Sequence, residues 1–288
     1  MMEKLGFVGL GIMGQPMALH LLDREPLVVY NRTQARTEPL RERGAEVAES
    51  PSELAQACTL IFLMLSNDEA VESLVAGPQG LLAGVQSGTL IVDHSTISPR
   101  LTRTLADAVR QRGGDWLDAP VTGGDIGARE ATLTIMAGGR EAAFARARVF
   151  LERMGRRIVH VGEVGQGQTL KLIANLVSGM TLMAASEGVR MGLHLGLRVE
   201  DMATVMTYGS AQSFELSKVL DRLGSQNYAP GFSVENRFKD LRLAIALAEE
   251  AGFAADLGRA SEELYRRHLE AGYGSEDEAS YIKRWESE

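Results

Sequence analysis

The 288-residue chain is 45% hydrophobic and 24% charged, enough for one large or two ordinary domains with ample core. Its formal net charge of −8 speaks against a nucleic-acid binder, which shows a basic excess. A single cysteine, Cys58, excludes an intrachain disulfide, and the five histidines lack the close spacing of a zinc site, a composition expected of a reducing compartment such as the cytoplasm.

The first apolar run, Leu5 to Leu10, is too short for a signal peptide and ends in glycines. It reads as a strand, followed by a helix over about 15–23. Further strands are expected at 27–31, 60–65, 89–93, 115–120, 133–138 and 157–162, with helical stretches at 34–43, 50–57, 68–75 and 99–112 between them. Strand–helix alternation with nearly continuous apolar strands is the mark of a mostly parallel sheet covered on both faces.

After Gly167 the pattern changes. Residues 168–196 keep a 3.6-residue apolar period without proline, which predicts one helix roughly 40 Å long. Lys171, Glu187 and Arg190 interrupt it, so it reads as a core helix covered from several sides rather than a membrane span. Helical patterns follow at 199–208, 213–223, 236–251 and 254–271, and no strand candidate remains. The glycines of "VGEVGQGQ" set the expected division: an α/β domain over 1–163 and an all-α domain over 164–288. The charged tail "SEDEASYIKRWESE" could be disordered on composition alone.

In "VGLGIMG" the glycines Gly9, Gly11 and Gly14 form G-x-G-x-x-G after a strand and before a helix, the Rossmann arrangement. They serve the tight turn, the approach of backbone to a pyrophosphate and close helix–strand packing. With Leu10, Ile12 and Met13 they would present backbone N–H groups at the helix N-terminus to the phosphates. An NAD enzyme carries a carboxylate at the end of the second strand. Here Asn31 stands there, followed by Arg32, Thr33 and Arg36. Amide, hydroxyl and guanidinium groups bind a 2′-phosphate that a carboxylate would repel. NADP(H) is therefore expected as the preferred coenzyme and NAD(H) as the weaker one. The plainer reading of Arg32 and Arg36 is a pair of solvated helix-start residues.

With these residues the chain resembles the β-hydroxyacid dehydrogenase family, which includes 3-hydroxyisobutyrate dehydrogenase, tartronate semialdehyde reductase and the glyoxylate/succinic semialdehyde reductases. "GLGIMGQPMALHL" resembles the family's cofactor motif, with His20 where Asn is more usual, and "NRT" resembles its NADP-using members. "DHSTISP" and "DAPVTGG" resemble the substrate-side loops, Thr122 standing for the typical Ser. "GQGQTLKLIAN" resembles the catalytic segment, with Ala174 in place of the first Asn of a pair and Asn175 as the second. "GFSVENRFKDLRLA" resembles the second lysine motif. The tail "GYGSEDEAS" resembles a recurrent C-terminal pattern, which favours a docked tail.

The resemblance implies a reaction between a nicotinamide and a small carboxylate-bearing substrate, in a site between the two domains of a homodimer or homotetramer. Carbonyl reduction needs a proton for the nascent alkoxide, and an ammonium can supply it while stabilising the developing charge. Lys171 is the candidate, with Asn175 at i+4 and Ser178 at i+7 on the same helix face. From spacing alone, a lysine at a helix start is more often a surface cation; the resemblance reverses that.

Thr122, Gly123 and Gly124 could form an amide nest for the substrate carboxylate, with Ser95 and Thr96 against nicotinamide or substrate. Ser98, before Pro99, reads as a helix N-cap. By resemblance, Lys239 lies near nicotinamide and substrate, with Phe232 closing the pocket and Asp240 in support; Arg237 is a guess at a specificity residue. Met64, Leu65 and Ser66 are expected on the adenine–ribose side. The rival readings are an imine reductase of similar architecture and a non-catalytic NADP(H)-binding protein, both of which the Lys171–Asn175 pair disfavours.

Overall fold

A computed structural model describes the backbone of residues 3–286 and the side chains of residues 3–283. It divides into two compact units, residues up to Lys171 and residues from Leu172 onward. The division falls inside a helix, past the glycine-rich stretch that the sequence marks.

Among its described residues the first unit holds nine strands: β1 (Leu5–Val8), β2 (Leu27–Tyr30), β3 (Glu46–Val47), β4 (Leu60–Leu63), β5 (Leu90–Asp93), β6 (Asp115–Asp118), β7 (Val121–Thr122), β8 (Leu133–Gly138) and β9 (Gly155–Gly162). They form one sheet in the order β3-β2-β1-β4-β5-β6-β8-β7, with β9 on the outer side of β8. Pairing is parallel from β3 through β6 and reverses where β8 meets β6 and β7. The mostly parallel sheet is thus found, with β3 and β7 too short, at two residues each, to leave a pattern in the sequence. β1, β4 and β5 are buried along their whole length, as strands covered on both faces must be.

Seven helices accompany them: α1 (Gly14–Leu22), α2 (Glu38–Arg41), α3 (Pro51–Ala57), α4 (Asp68–Ala76), α5 (Pro99–Gln111), α6 (Gly124–Arg129) and α7 (Glu141–Leu151). The starts of α3, α4 and α5 are capped by the side chains of Ser50, Asn67 and Ser98, which satisfy backbone N–H groups that the first turn leaves open. α7 escapes the sequence reading. Two of its five core residues, Ala143 and Ala147 beside Phe144, Phe150 and Leu151, are small enough to blur the apolar period. α3 lies so close to β1 that a Cβ on Gly6 would stand 2.7 Å from Leu54 and 3.1 Å from the Cys58 sulfur. Burial pushes the Cys58 thiol up to about 12.

α8 (Gln166–His194) runs for 29 residues through the division. The second unit adds α9 (Val199–Met206), α10 (Phe214–Ser225), α11 (Val234–Glu250) and α12 (Asp256–His268), then a π turn and a 3-10 helix over 278–286. Its only strand-like pairing among the described residues is the bridge Ser233–Asp277. Leu182, Met183 and Val189 of α8 pack with Met202, Leu216, Val219, Leu241 and Tyr265. The tail joins that core through Ala279, Tyr281 and Ile282; its last two residues lie outside the described range. By length and composition α8 could cross a bilayer. It is not covered all round: Ile173, Val177 and Met191 are each at least half exposed.

Candidate active site

The glycine loop follows β1 as the sequence requires. Gly9 has φ +94°, and a Cβ there would stand 2.2 Å from the Met64 carbonyl oxygen; one on Gly14 would stand 1.8 Å from the Gly9 carbonyl oxygen. Both positions need glycine because backbone meets backbone. Gly11 differs: a Cβ would meet only the Arg36 guanidinium, at 3.7 Å. Its open face at the start of α1 is the cradle into which a pyrophosphate fits.

Asn31 is tied down: its Oδ1 accepts the Leu10 N–H at 2.8 Å and its Nδ2 donates to the Thr33 carbonyl at 2.8 Å. The amide therefore locks the glycine loop to the end of β2, while Arg32, Thr33 and Arg36 remain exposed. Ile12 is exposed and Leu10 buried, so the motif offers backbone rather than side chains to a ligand. His20 reaches across to α6, its Nε2 lying 3.0 Å and 3.1 Å from the carbonyls of Ala128 and Arg129.

The loops after β4, β5 and β6 meet the start of α8. Met64 and Leu65 lie against Gly9, and Ser66 is exposed. The Leu65 N–H donates to the Ser95 hydroxyl at 2.9 Å. Ser95 is wholly buried, and its hydroxyl joins the loops after β4 and β5, at the place where the sequence reading expects it against nicotinamide or substrate. Thr96 beside it is half-buried. Gln168 donates to the Ser95 carbonyl at 2.7 Å and accepts from the Ile97 N–H at 3.3 Å. Ser98 caps α5 as expected, and its hydroxyl also donates to Asp68 at 2.6 Å.

Two carboxylates that the sequence reading passed over sit here. Asp93 and Asp118 pair in register at the ends of β5 and β6. Burial raises Asp93 to about 7 against the opposing hydrogen bonds from Ser95, with Asp118 and Asp68 adding to the rise. Burial likewise raises Asp118 to about 6, opposed by the N–H groups of Gly165 and Gln168. His94 is buried and held at about 4, so it is neutral; its Nδ1 lies 2.7 Å from the Ala119 carbonyl. No periodicity marks these residues; an acidic or imidazole side chain at a strand's carboxyl end is the one signal that could have found them.

Lys171 lies on α8, 7% exposed, and closes the first unit. Thr122, Gly123 and Gly124 form an exposed segment between β7 and α6, with Thr122 paired to Thr134. Gly123 and Gly124 have φ of +131° and +64°, values that favour glycine.

In the second unit, the Asn175 Nδ2 donates to Asp240 at 2.5 Å, and the other oxygen of Asp240 lies 3.1 Å from the Lys239 ammonium. Asp240 thus joins Asn175 and Lys239. Arg237 is a different matter. It is buried, with its guanidinium donating to both oxygens of Glu278, to the Asn175 carbonyl at 2.9 Å and to Ser178 at 2.8 Å. It also lies over the half-buried Phe232 ring, 4.8 Å from the centroid. Arg237 therefore braces α8 from within. Ser178 donates in turn to Glu215, whose carboxyl burial raises, as does nearby Glu278. Burial alone would raise Glu278, but Arg237 and Lys218 overcome it and hold the carboxyl below its ordinary range.

Comparison with known proteins agrees with this arrangement. Residues 4–162 match the NAD-binding domain of 6-phosphogluconate dehydrogenase, and residues 165–285 match the family described as NAD-binding of NADP-dependent 3-hydroxyisobutyrate dehydrogenase. The chain is 35% identical to 2-(hydroxymethyl)glutarate dehydrogenase of Eubacterium barkeri, over 98% of this chain and 95% of that protein. It is 37% identical to a 3-hydroxyisobutyrate dehydrogenase of Pseudomonas aeruginosa, over 94% and 93%. The solved structure of the Mycobacterium tuberculosis 3-hydroxyisobutyrate dehydrogenase with L-serine superposes with a TM-score of 0.90 at 29% identity, covering 98% of this chain and 99% of that one. With a dinucleotide-binding glycine loop at one end and both family models spanning nearly its whole length, the chain belongs to the hydroxyacid dehydrogenase family of 3-hydroxyisobutyrate dehydrogenase, NAD(P)-binding oxidoreductases.

Proposed function

We propose that this protein is an NADP(H)-preferring oxidoreductase that interconverts small β-hydroxy acids and their semialdehydes, or reduces glyoxylate or succinic semialdehyde, with Lys171 as general acid and base. The observation that carries the reading is a lysine, 7% exposed, on the helix that Gln168 ties to the coenzyme-side loops. A buried ammonium in such a place is poised to exchange its proton. A nicotinamide held there would supply the hydride for the carbonyl carbon. Lys171 donates its Nζ proton to the carbonyl oxygen, so that a hydroxy acid and oxidised coenzyme result; the reverse reaction returns the proton to Nζ. Asn175, one turn on and fixed by Asp240, orients the substrate oxygen, while Lys239, Phe232, Thr96 and the Thr122–Gly124 turn serve the substrate carboxylate and the nicotinamide.

The glycine loop, Met64, Leu65 and Ser66 hold the dinucleotide. Arg32, Thr33 and Arg36 take the 2′-phosphate, Arg36 already lying beside Gly11. The apolar side chains that α8 leaves exposed support a homodimer or homotetramer, and the reducing composition a cytoplasmic location.

The experiment is a substrate panel followed by coenzyme absorbance. Glyoxylate and the succinic, tartronate and methylmalonate semialdehydes are offered with NADPH and with NADH. Catalytic efficiency is expected to favour NADPH; a clear NADH preference sinks the coenzyme assignment. Lys171→Ala is expected to lose about 10²–10⁴-fold in turnover while NADPH still binds. Full turnover by that variant sinks the role of Lys171.

A further inference from the structure

We infer that Asp118 is the positioning residue for Lys171: a carboxylate at the end of β6 that caps the first turn of α8 from another element and so fixes the lysine. This rests on the role proposed for Lys171. Helix starts leave backbone N–H groups without partners, and the side chain that caps them normally comes from the residue just before the helix. At α8 that residue is Gly165, which has no side chain. Asp118 takes over, from 47 positions earlier in the chain: its Oδ1 accepts the Gly165 N–H at 2.7 Å and its Oδ2 accepts the Gln168 N–H at 2.9 Å. The Gly167 N–H is directed at the same group.

The approach is close on every side. A Cβ on Gly138, at the end of β8, or on Gly167 would stand 2.8 Å from the Asp118 Oδ2. Backbone is closer still, the Gly167 nitrogen at 2.7 Å from a Cβ on Gly138 and the Met136 carbonyl oxygen at 2.4 Å from one on Gly167, so neither position has room for a side chain beside the carboxylate. Gln168, whose N–H is capped, uses its own side chain to grip the loop after β5 at Ser95 and Ile97. One carboxylate at the end of β6 therefore holds the base of α8, from which Gln168 reaches the loop after β5. Lys171 follows Gln168 by three residues, about 4.5 Å along the axis, so any tilt or unwinding of this turn displaces its ammonium. Displacements of about 1 Å in a reacting geometry can cost on the order of 100-fold.

The test uses the full chain with Asp118→Asn and Asp118→Ala. Asparagine keeps one acceptor oxygen and turns an N–H₂ group toward backbone donors; alanine keeps none. Turnover is expected to fall about tenfold or more in Asp118→Asn and further in Asp118→Ala, with the KM for NADPH within about twofold of wild type. With 4-deuterated NADPH, the isotope effect on kcat is expected to rise, because a misplaced proton donor slows the chemical step. Amide hydrogen exchange is expected to quicken over 165–171 alone.

Wild-type turnover in both variants overturns the proposal, and so does a loss of NADPH binding or of global protection that parallels the loss of turnover. The wild-type protein supplies a check that needs no variant: rapid exchange of the Gly165 and Gln168 amides at neutral pH also overturns it. If the wild type turns over no substrate in the panel, the proposed function fails, while the exchange data still decide whether Asp118 holds α8.

Discussion

Asp93 shows how a single buried group makes stability depend on pH. Its ordinary value in the unfolded chain is 3.8, and burial raises it to about 7. The native state therefore binds a proton that the unfolded chain has released, and this contribution to stability declines as pH rises from about 4 to about 7. His94 acts in the opposite sense over about 4–6.5, since the native state keeps it neutral. Asp93→Asn keeps an oxygen for the Ser95 N–H, bonded at 2.9 Å in the wild type, removes the first term and leaves the second. The stability of the variant relative to wild type is expected to improve by a few kcal/mol from pH 4 to pH 7 and to level off above. Melting temperatures across that range check it; a constant difference would show that Asp93 ionises normally. At this scale the sequence is legible where geometry forces a residue type. Gly9 and Gly14 announce themselves because no other residue fits. Asp93 and Asp118 do not, because a carboxylate's role depends on which strands end beside it.

Among the helices, α11 and the tail carry the second unit's buried charge. Arg237 is 4% exposed and Glu278 1% exposed, and their pairing is completed by Lys218, 2.7 Å from Glu278, and by the Tyr265 hydroxyl at 3.3 Å. Leaving one member of such a pair buried alone costs about 3–5 kcal/mol, whereas replacing both with apolar residues of similar volume is often neutral. Glu278→Leu is therefore expected to destabilise the protein by about that amount in urea unfolding, and the double variant Arg237→Met/Glu278→Leu to recover much of it. No recovery would show that the pair holds a conformation that packing alone cannot. The long helix, by contrast, could be read from its apolar period, and so could its polar residues. That Arg237 is buried against Glu278 could not, since this partner lies 41 positions later in the chain.

At the scale of the whole molecule, the change from alternating elements to helices alone near residue 167 was legible, because a parallel sheet demands buried strands and returning helices. β8 was legible as a strand at 133–138 but not in its reversed direction, and the two-residue strands β3 and β7 and the alanine-rich α7 were not legible at all. Their signals are too short or too small-sided, and tertiary pairing decides them. The one thiol in this architecture has a further consequence. Cys58 is 3% exposed, packed beside the central strand β1 and held in its unreactive protonated form. A disulfide reagent should modify it only after the sheet domain has come apart, so the kinetics of labelling would clock the opening of that domain while the helical half stays silent. In the folded protein, incubation with excess reagent for hours at neutral pH should leave it untouched; rapid colour development would mean that the edge of the core breathes far more freely than its packing implies.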